Sequence, residues 1–531
     1  MTKQKNSIKL LFAGLMVTQF MSSLGQTVLS SALPTIVGEL NGVEHMTWVI
    51  TAFILALTIM MPIYGKLSDL MGRKPLLLFA ITLFIIGSVL GGLSDSMNEL
   101  IAARAVQGIG GGGLMILSQA AIADVIPARE RGKYMGIMGA AFAVSSVAGP
   151  LLGGWFTEGP GWRWAFWMNL PLGILAMIAT ILFLHIPKRT YDQRPKIDYA
   201  GMMLMAVATA SLVLALTWGG NTYAWSSVQV LGLFAVAVVS GAAFLFAESK
   251  AAEPIMPLYL FRDRNFNLVT LAALFTSIAM FGAVGYMPTY LQMAGGYSAS
   301  VAGLLMAPMM MVLLVVATAS GVFVSKTGKY KPLPIIGSLI VALSLFLLST
   351  IKVDTPVWLI ATYLSVLGLG LGTSMQLLTL IVQNSFPVRV VGTATAATNY
   401  FRQVGSTLGS AIVGSVFASR LIDYANKNLA QFGDAAVGSG GANSFTPALV
   451  HGLPEPVREA VVLSYNQALI PIFLRFIPLL LIAAVLLCFI RPKALATSVE
   501  DVISTADESA SGQVDSRLES APHVVAHERS V

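Results

Sequence analysis

Charge is what this sequence has least of. Only 11% of its 531 residues are charged, against 56% hydrophobic, and the mean hydropathy is +0.77. Soluble domains average about 25% charged residues, so the composition excludes a soluble protein and specifies an integral membrane one. There is one cysteine, Cys488, inside an apolar run. A disulfide within the chain is therefore excluded, and plain packing is its expected role. No metal-ligating or nucleophile constellation is present. A phosphate loop of the G-x-x-x-x-G-K-[ST] kind is also missing: Gly132-Lys133 runs into Tyr134 and Gly328-Lys329 into Tyr330. That excludes an ATP-driven pump. The chain is read as no enzyme, with no cofactor and no metal. The net charge of +7 carries no nucleic-acid signal, because the basic residues lie in short loops beside apolar runs, where they set orientation.

Apolar runs are what the chain has in abundance. Fourteen are long enough to cross a bilayer, at about 20 residues each. They lie near 10–32, 46–64, 76–94, 99–122, 134–157, 164–186, 199–219, 226–247, 267–290, 299–324, 333–351, 356–383, 393–419 and 467–490. Buried strands are far shorter, so the expected fold is all-α. The first run follows Lys3, Lys5 and Lys9; at about 22 residues it is too long for a cleaved signal peptide.

Lysine and arginine fall on alternate loops: Lys66, Arg73 and Lys74; Arg129, Arg131 and Lys133; Lys188, Arg189, Arg194 and Lys196; Lys250, Arg262 and Arg264; Lys326, Lys329 and Lys331; then Arg389, and Arg491 with Lys493 after the last run. The intervening loops hold only Arg163, Lys352, Arg420, Lys427 and Arg458. This asymmetry places both termini in the cytoplasm of a multi-pass cell-membrane protein. The stretch 420–466 is the one long external loop and reads as a solvated connector. The tail from about 493 to 531 is rich in Ser, Asp and Glu and is expected to be disordered.

The chain repeats itself. A shift of 260 carries Gly108 onto Gly368, Asp124 onto Asn384, Arg129 onto Arg389, Gly132 onto Gly392 and Gly149 onto Gly409; a shift of 256 carries Gly65 onto Gly321 and Asp69 onto Ser325. Two pseudo-symmetric six-helix bundles follow, at 1–190 and 266–492, with two inserted helices at 191–265. Transporters use such repeats, with the substrate site near mid-membrane at their interface.

Four stretches carry chemistry. Gly65-Lys-Leu-Ser-Asp69-Leu-Met-Gly72-Arg73-Lys74-Pro75 puts a charge cluster between two apolar runs. A carboxylate at a helix end can bind another helix N-terminus or an arginine, and that bond must break for the cytoplasmic side to open. Arg104, followed by Gln107 and Gly108, lies inside the fourth run, where a buried arginine is expensive and faces protein. Gly149-Pro150-Leu-Leu-Gly153-Gly154 in the fifth run combines a smooth face with a helix-bending proline. Trp162-Arg-Trp-Ala-Phe-Trp opens the sixth.

These strings resemble the major facilitator superfamily. The first is similar to its loop between helices 2 and 3, and the third to the motif of its exporting branches. The aromatic segment, Asp198-Tyr-Ala-Gly201 and Glu253-Pro-Ile-Met-Pro-Leu-Tyr resemble the fourteen-helix drug:proton antiporter family within it. The resemblance covers about 10–490. It implies that fold with fourteen transmembrane helices, and proton-coupled export of small amphipathic compounds (drugs, toxic organics), energised by the proton gradient. Arg104 resembles an arginine that joins proton-linked charge networks. Asp124, Glu158 and Arg402 are the other expected members of such a network here. Protons, substrate and membrane lipid are the expected partners, with a periplasmic adaptor as an additional possibility.

One departure stands out. The family usually carries an acidic residue where Gly25 stands, and no run holds a carboxylate at depth. Two hypotheses follow: Glu158 or Asp124 titrates beside an arginine, or the cargo is neutral, anionic or lipid-like. The alternative function is export of a specific metabolite, peptide or lipid with altered proton coupling. Gln19, Gln26, Gln376, Asn399 and Tyr400 are the expected cavity residues, since polar side chains within spans face protein or water, and Met residues beside them adapt to varied ligands.

Overall fold

The structure is a computed structural model that describes residues 2–40, 45–184, 196–220, 222–432, 449–450 and 452–495. Among these residues there is no strand, only an isolated bridge between Gly219 and Tyr223. The Gly-rich part of the long connector, the tail beyond 495, and Lys188, Arg189 and Arg194 lie outside the described residues.

Among the described residues, ten helices precede the middle of the chain. They are α1 (Thr2–Thr27), α2 (Leu29–Glu39), α3 (Met46–Met71), α4 (Arg73–Gly92), α5 (Met97–Val125), α6 (Ala128–Glu158), α7 (Trp164–Trp167), α8 (Asn169–Phe183), α9 (Tyr199–Trp218) and α10 (Val228–Lys250). Then come α11 (Arg264–Val284), α12 (Met287–Gly295), α13 (Ala299–Leu305), α14 (Ala307–Thr327), α15 (Pro332–Leu348), α16 (Val357–Ser385), α17 (Val391–Leu429), α18 (Glu455–Leu469) and α19 (Ile477–Cys488). Twelve helical stretches among the described residues are long and apolar enough to cross a membrane; α15, with 17 residues, is apolar but shorter. The protein is a multi-pass, all-helical membrane protein.

Local chemistry sets the helix starts. The Ser96 hydroxyl accepts the Glu99 N–H (3.3 Å), while the Glu99 carboxylate accepts the Asp95 N–H (3.0 Å), which supplies orphan donors at the start of α5 with acceptors. Asp198 and Asp263 cap α9 and α11 in the same way, each at 2.8 Å. Between α3 and α4 the chain turns at Gly72, whose φ of +92° favours glycine.

Each half has its own apolar core. Phe53, Leu57, Tyr64, Phe84 and Leu117 lie in the first. Leu313, Leu345, Leu367 and Phe473 lie in the second. The halves meet along two seams, α3 against α17 and α6 against α14. These are pseudo-equivalent, since α3 maps onto α13–α14 and α6 onto α17 by the sequence shifts. The inserted α9 packs on α3 and α17, with Met205 beside Ile63 and Ile255, and α10 pairs with α9. Cys488 is exposed on the outer surface.

Candidate gate and substrate cavity

One end of the bundle carries the basic loops, and there the seams are shut by specific bonds. Asp69, in the last turn of α3, is buried. Its carboxylate accepts the Gly392 N–H at 3.2 Å, the Thr393 N–H at 2.7 Å and the Thr393 hydroxyl at 2.6 Å. It thereby caps α17, where unpaired N–H groups and the helix dipole favour negative charge. Arg73, 1% exposed, reaches Asp69 at 2.6 Å and Asp124 at 3.1 Å, and also donates to the Ser68 hydroxyl. Gly65 is required by proximity: a Cβ there would stand 2.3 Å from the Ala396 Cβ and 2.9 Å from the Gly392 oxygen. Lys74 donates to the Ile181 carbonyl (2.7 Å) within the first half.

The second seam repeats this with different chemistry. Gly321 approaches Gly132, where an added Cβ would meet the Gly132 oxygen at 2.1 Å. Arg129 donates to the Ser325 and Lys326 carbonyls at the end of α14, both at 3.1 Å. The sequence shift that exchanged Asp69 for Ser325 thus replaces a carboxylate on a helix N-terminus by a guanidinium on a helix C-terminus. The inserted segment braces the first seam. Lys66 bonds Glu253 at 2.7 Å. The buried Glu248 carboxylate holds the turn that carries Glu253, accepting the Ile255 and Met256 N–H groups at 2.9 and 3.1 Å. Burial, with Asp69 and Glu253 nearby, pushes the Tyr259 phenol above its usual range, so it stays protonated.

Above the gate, between the halves, lies a narrow cavity of about 40 Å³. Gln19, Gln26 and Gln376 line it, together with Arg402, Gln119 and Gln403. A second cavity of about 280 Å³ shares Gln26, Phe281 and Gln403 with it and extends toward Ile50, Thr51 and Tyr286, away from the gate. Gln119 and Gln403 were missed by the sequence reading, although the rule that selected Gln19 applies to them equally.

Two cavity residues are corrected. Tyr400 does not line the cavity: its hydroxyl bonds Thr209 of α9 at 2.9 Å and its ring packs on Phe401. One residue of helix advance is about 100°, which turns it out of the seam. Asn399 stands behind the wall. Its amide donates to Gln119 Oε1 (3.1 Å) and the Thr395 carbonyl (2.9 Å), and its Oδ1 accepts from Arg402.

The structure does not bring the expected charge network together. Asp124 belongs to the gate with Arg73. Glu158 is exposed at the far end of α6. Arg402 lies in the cavity. Arg104 is 1% exposed and held by neutral groups: the Val49 carbonyl (3.1 Å), Gln107 Oε1 (2.6 Å) and the Gly25 carbonyl (2.8 Å), with its guanidinium 4.1 Å from the Phe53 ring centroid. Arg475, the arginine within the last apolar run, is exposed.

The small-residue motif of α6 works at three of its four positions. Added Cβ atoms would stand 2.2 Å from Thr27 Oγ1 at Gly149, and 2.1 Å from the Val28 oxygen at Gly153. The carbonyl of Pro150, inside the helix, accepts from Ser31 at 2.9 Å. These contacts seat α6 against the break between α1 and α2. Gly154 is the exception, with nothing within 4 Å of where its Cβ would be.

A membrane-embedded double bundle with a seam-closing gate and a cavity between its halves defines a transporter and no enzyme. Residues 15–410 match the Major Facilitator Superfamily. The chain is 40% identical over 411 residues to the multidrug transporter protein MdtP of Bacillus subtilis strain 168, covering 77% of this chain and 75% of that one. It is 33% identical over 508 residues to multidrug resistance protein 3 of the same organism, covering 94% and 98%. The solved structure of the human organic anion transporter MFSD10 superposes with a TM-score of 0.60 over 90% of this chain and 99% of that one; at 15% identity this shows the fold alone. The chain belongs to the major facilitator superfamily, and both of these Bacillus relatives carry multidrug names.

Proposed function

We propose that this protein is a secondary exporter that moves small amphipathic compounds out of the cell by alternating access, in exchange for protons. The observation that carries the reading is the carboxylate of Asp69 on the N-terminus of α17. It ties one half to the other at the end that would face the cytoplasm, while the larger cavity extends away from it. On this reading 1–190 and 266–492 rock against one another and 191–265 ride on the seam, with both termini on the cytoplasmic side. Fourteen crossings result if α1 and α15 also span. Breaking the bonds of Asp69 to Gly392 and Thr393 would part the first seam and open the gate.

Purified protein in proteoliposomes with an imposed proton gradient tests this. Accumulation of amphipathic dyes that needs the gradient, and is lost in Asp69→Ala, supports it; dye movement indifferent to the gradient removes the proton. A second reading, export of a specific metabolite, peptide or lipid with altered coupling, is favoured by one observation: Arg104 binds the backbone carbonyl of Gly25, where the family carries an acidic side chain.

A further inference from the structure

Arg73 and Arg402 are both held inside the protein, but their surroundings differ. Arg73 has two carboxylates, Asp69 and Asp124. Among the described residues, the one side-chain partner of Arg402 is Asn399 Oδ1. It lines the narrow central cavity and a smaller adjoining one. No Asp or Glu is among the residues that line these cavities or the larger one beside them. Cations within a membrane pair with carboxylates or carbonyls, or mark a substrate path. A guanidinium has five N–H donors in a planar fork, and most of this fork remains for a ligand.

The fork is also aimed. Asn399 holds Arg402 from α17 while its own amide is fixed by Gln119 of α5 and the Thr395 carbonyl. The guanidinium is therefore oriented by a bridge between the halves, at the level where cargo passes. Arg104 adds a second buried positive charge, bonded to the backbone of Gly25 next to the cavity residue Gln26, again without a carboxylate among its partners. Around Arg402, Gln19, Gln376 and Gln403 supply neutral donors and acceptors, and Met115, Met375 and Phe281 supply an adaptable apolar wall.

We propose that the cargo is an amphipathic organic anion, whose carboxylate or sulfonate head is taken by Arg402 while its apolar body lies against the Met and Phe side chains. The assignment rests on the exporter reading for its transport step, but not for its binding step. Two oxygens of either head can accept two parallel hydrogen bonds from the guanidinium fork. A cationic drug would meet like charge in a site with no counter-ion. The glutamines then orient the rest of the molecule, and the positive cavity replaces the span-1 carboxylate that a cation would need.

The test uses three probes with one dansyl-alkyl body and different heads: a sulfonate, a trimethylammonium and a neutral amide. Binding to the purified full-length protein is read by dansyl fluorescence, and transport in proteoliposomes. The sulfonate is expected to bind at least about tenfold tighter than the trimethylammonium probe, and Arg402→Gln to remove about tenfold of that affinity while the amide probe shifts less than about twofold. Arg402→Lys keeps the charge without the fork and recovers only part. Gln403→Glu places a carboxylate in the cavity that Arg402 lines and should erase the preference even if Arg402→Gln fails to fold. A trimethylammonium probe bound as tightly as the sulfonate, or equal weakening of all three probes in Arg402→Gln, overturns the proposal. Arg402-dependent binding of the sulfonate with no transport of any probe sinks the exporter reading and leaves the ligand class standing. Transport of the cation alone does the reverse.

Discussion

Replacing Asp69 by Ala should open the gate, and the size of the effect can be worked from the contacts. The carboxylate receives three hydrogen bonds from the start of α17, at 3.2, 2.7 and 2.6 Å, and all three cross the seam. Bonds to an ionised group contribute about 1.5–3 kcal/mol each when buried. Water reaches the freed groups once the seam parts, so their sum is discounted to about 3 kcal/mol in favour of the closed state. Loss of that amount changes the closed-to-open ratio by about a hundredfold. Arg73 keeps Asp124 and stays in the first half, so the substitution does not leave a bare buried cation. Spin labels on the exposed Met71 and Thr327, in a Cys488→Ser background, report the gate end of the two halves. Pulsed dipolar spectroscopy should show one distance in the parent and a dominant longer one in Asp69→Ala. An unchanged distribution would refute the argument that this carboxylate holds the halves together.

Other expectations follow from single contacts. Gly153→Ala should cost at least about tenfold in transport, because its Cβ collides with the Val28 backbone, whereas Gly154→Ala, with open space, should stay within about twofold; the pair is read by dye efflux at matched expression. Gly65→Val should prevent closure, since even a Cβ would overlap Ala396; the same spin-label pair should report the open distance. Glu253→Gln removes a bridge that is 40% exposed at the carboxylate. Its effect on the gate equilibrium should stay within about 1 kcal/mol and fade with added salt.

Much of the fold was legible because lipid imposes a simple rule: long apolar runs must be helical. The gate was legible for a related reason. A charge cluster in so apolar a chain has few uses, and Asp69 and Arg73 stand at a helix junction marked by Gly72. Partners were not legible. Nothing local to Asp69 names Gly392 and Thr393, more than 300 residues away, as its donors. The repeat offered a hint, since the shifts that relate Gly65 to Gly321 and Gly132 to Gly392 carry the Gly65–Gly392 approach of one seam onto the Gly321–Gly132 approach of the other. The cavity was half legible. Polarity inside a span picks out glutamines, but not their direction. Neighbours Asn399 and Tyr400 look alike in sequence, yet one fixes Arg402 and the other bonds α9. Arg104, Asp124, Glu158 and Arg402 stand apart, because charge and resemblance name candidate members of a network without fixing the distances between them.

The most direct test of alternating access is to lock the second seam and watch transport. Arg129 and Lys326, which meet across it, would be replaced by cysteines in the Cys488→Ser background and joined with a short, reducible bifunctional thiol reagent. The account predicts that gradient-driven efflux in proteoliposomes stops on cross-linking and returns on reduction, while either single cysteine variant is unaffected by the reagent. Efflux at the full rate with the seam covalently shut would contradict it.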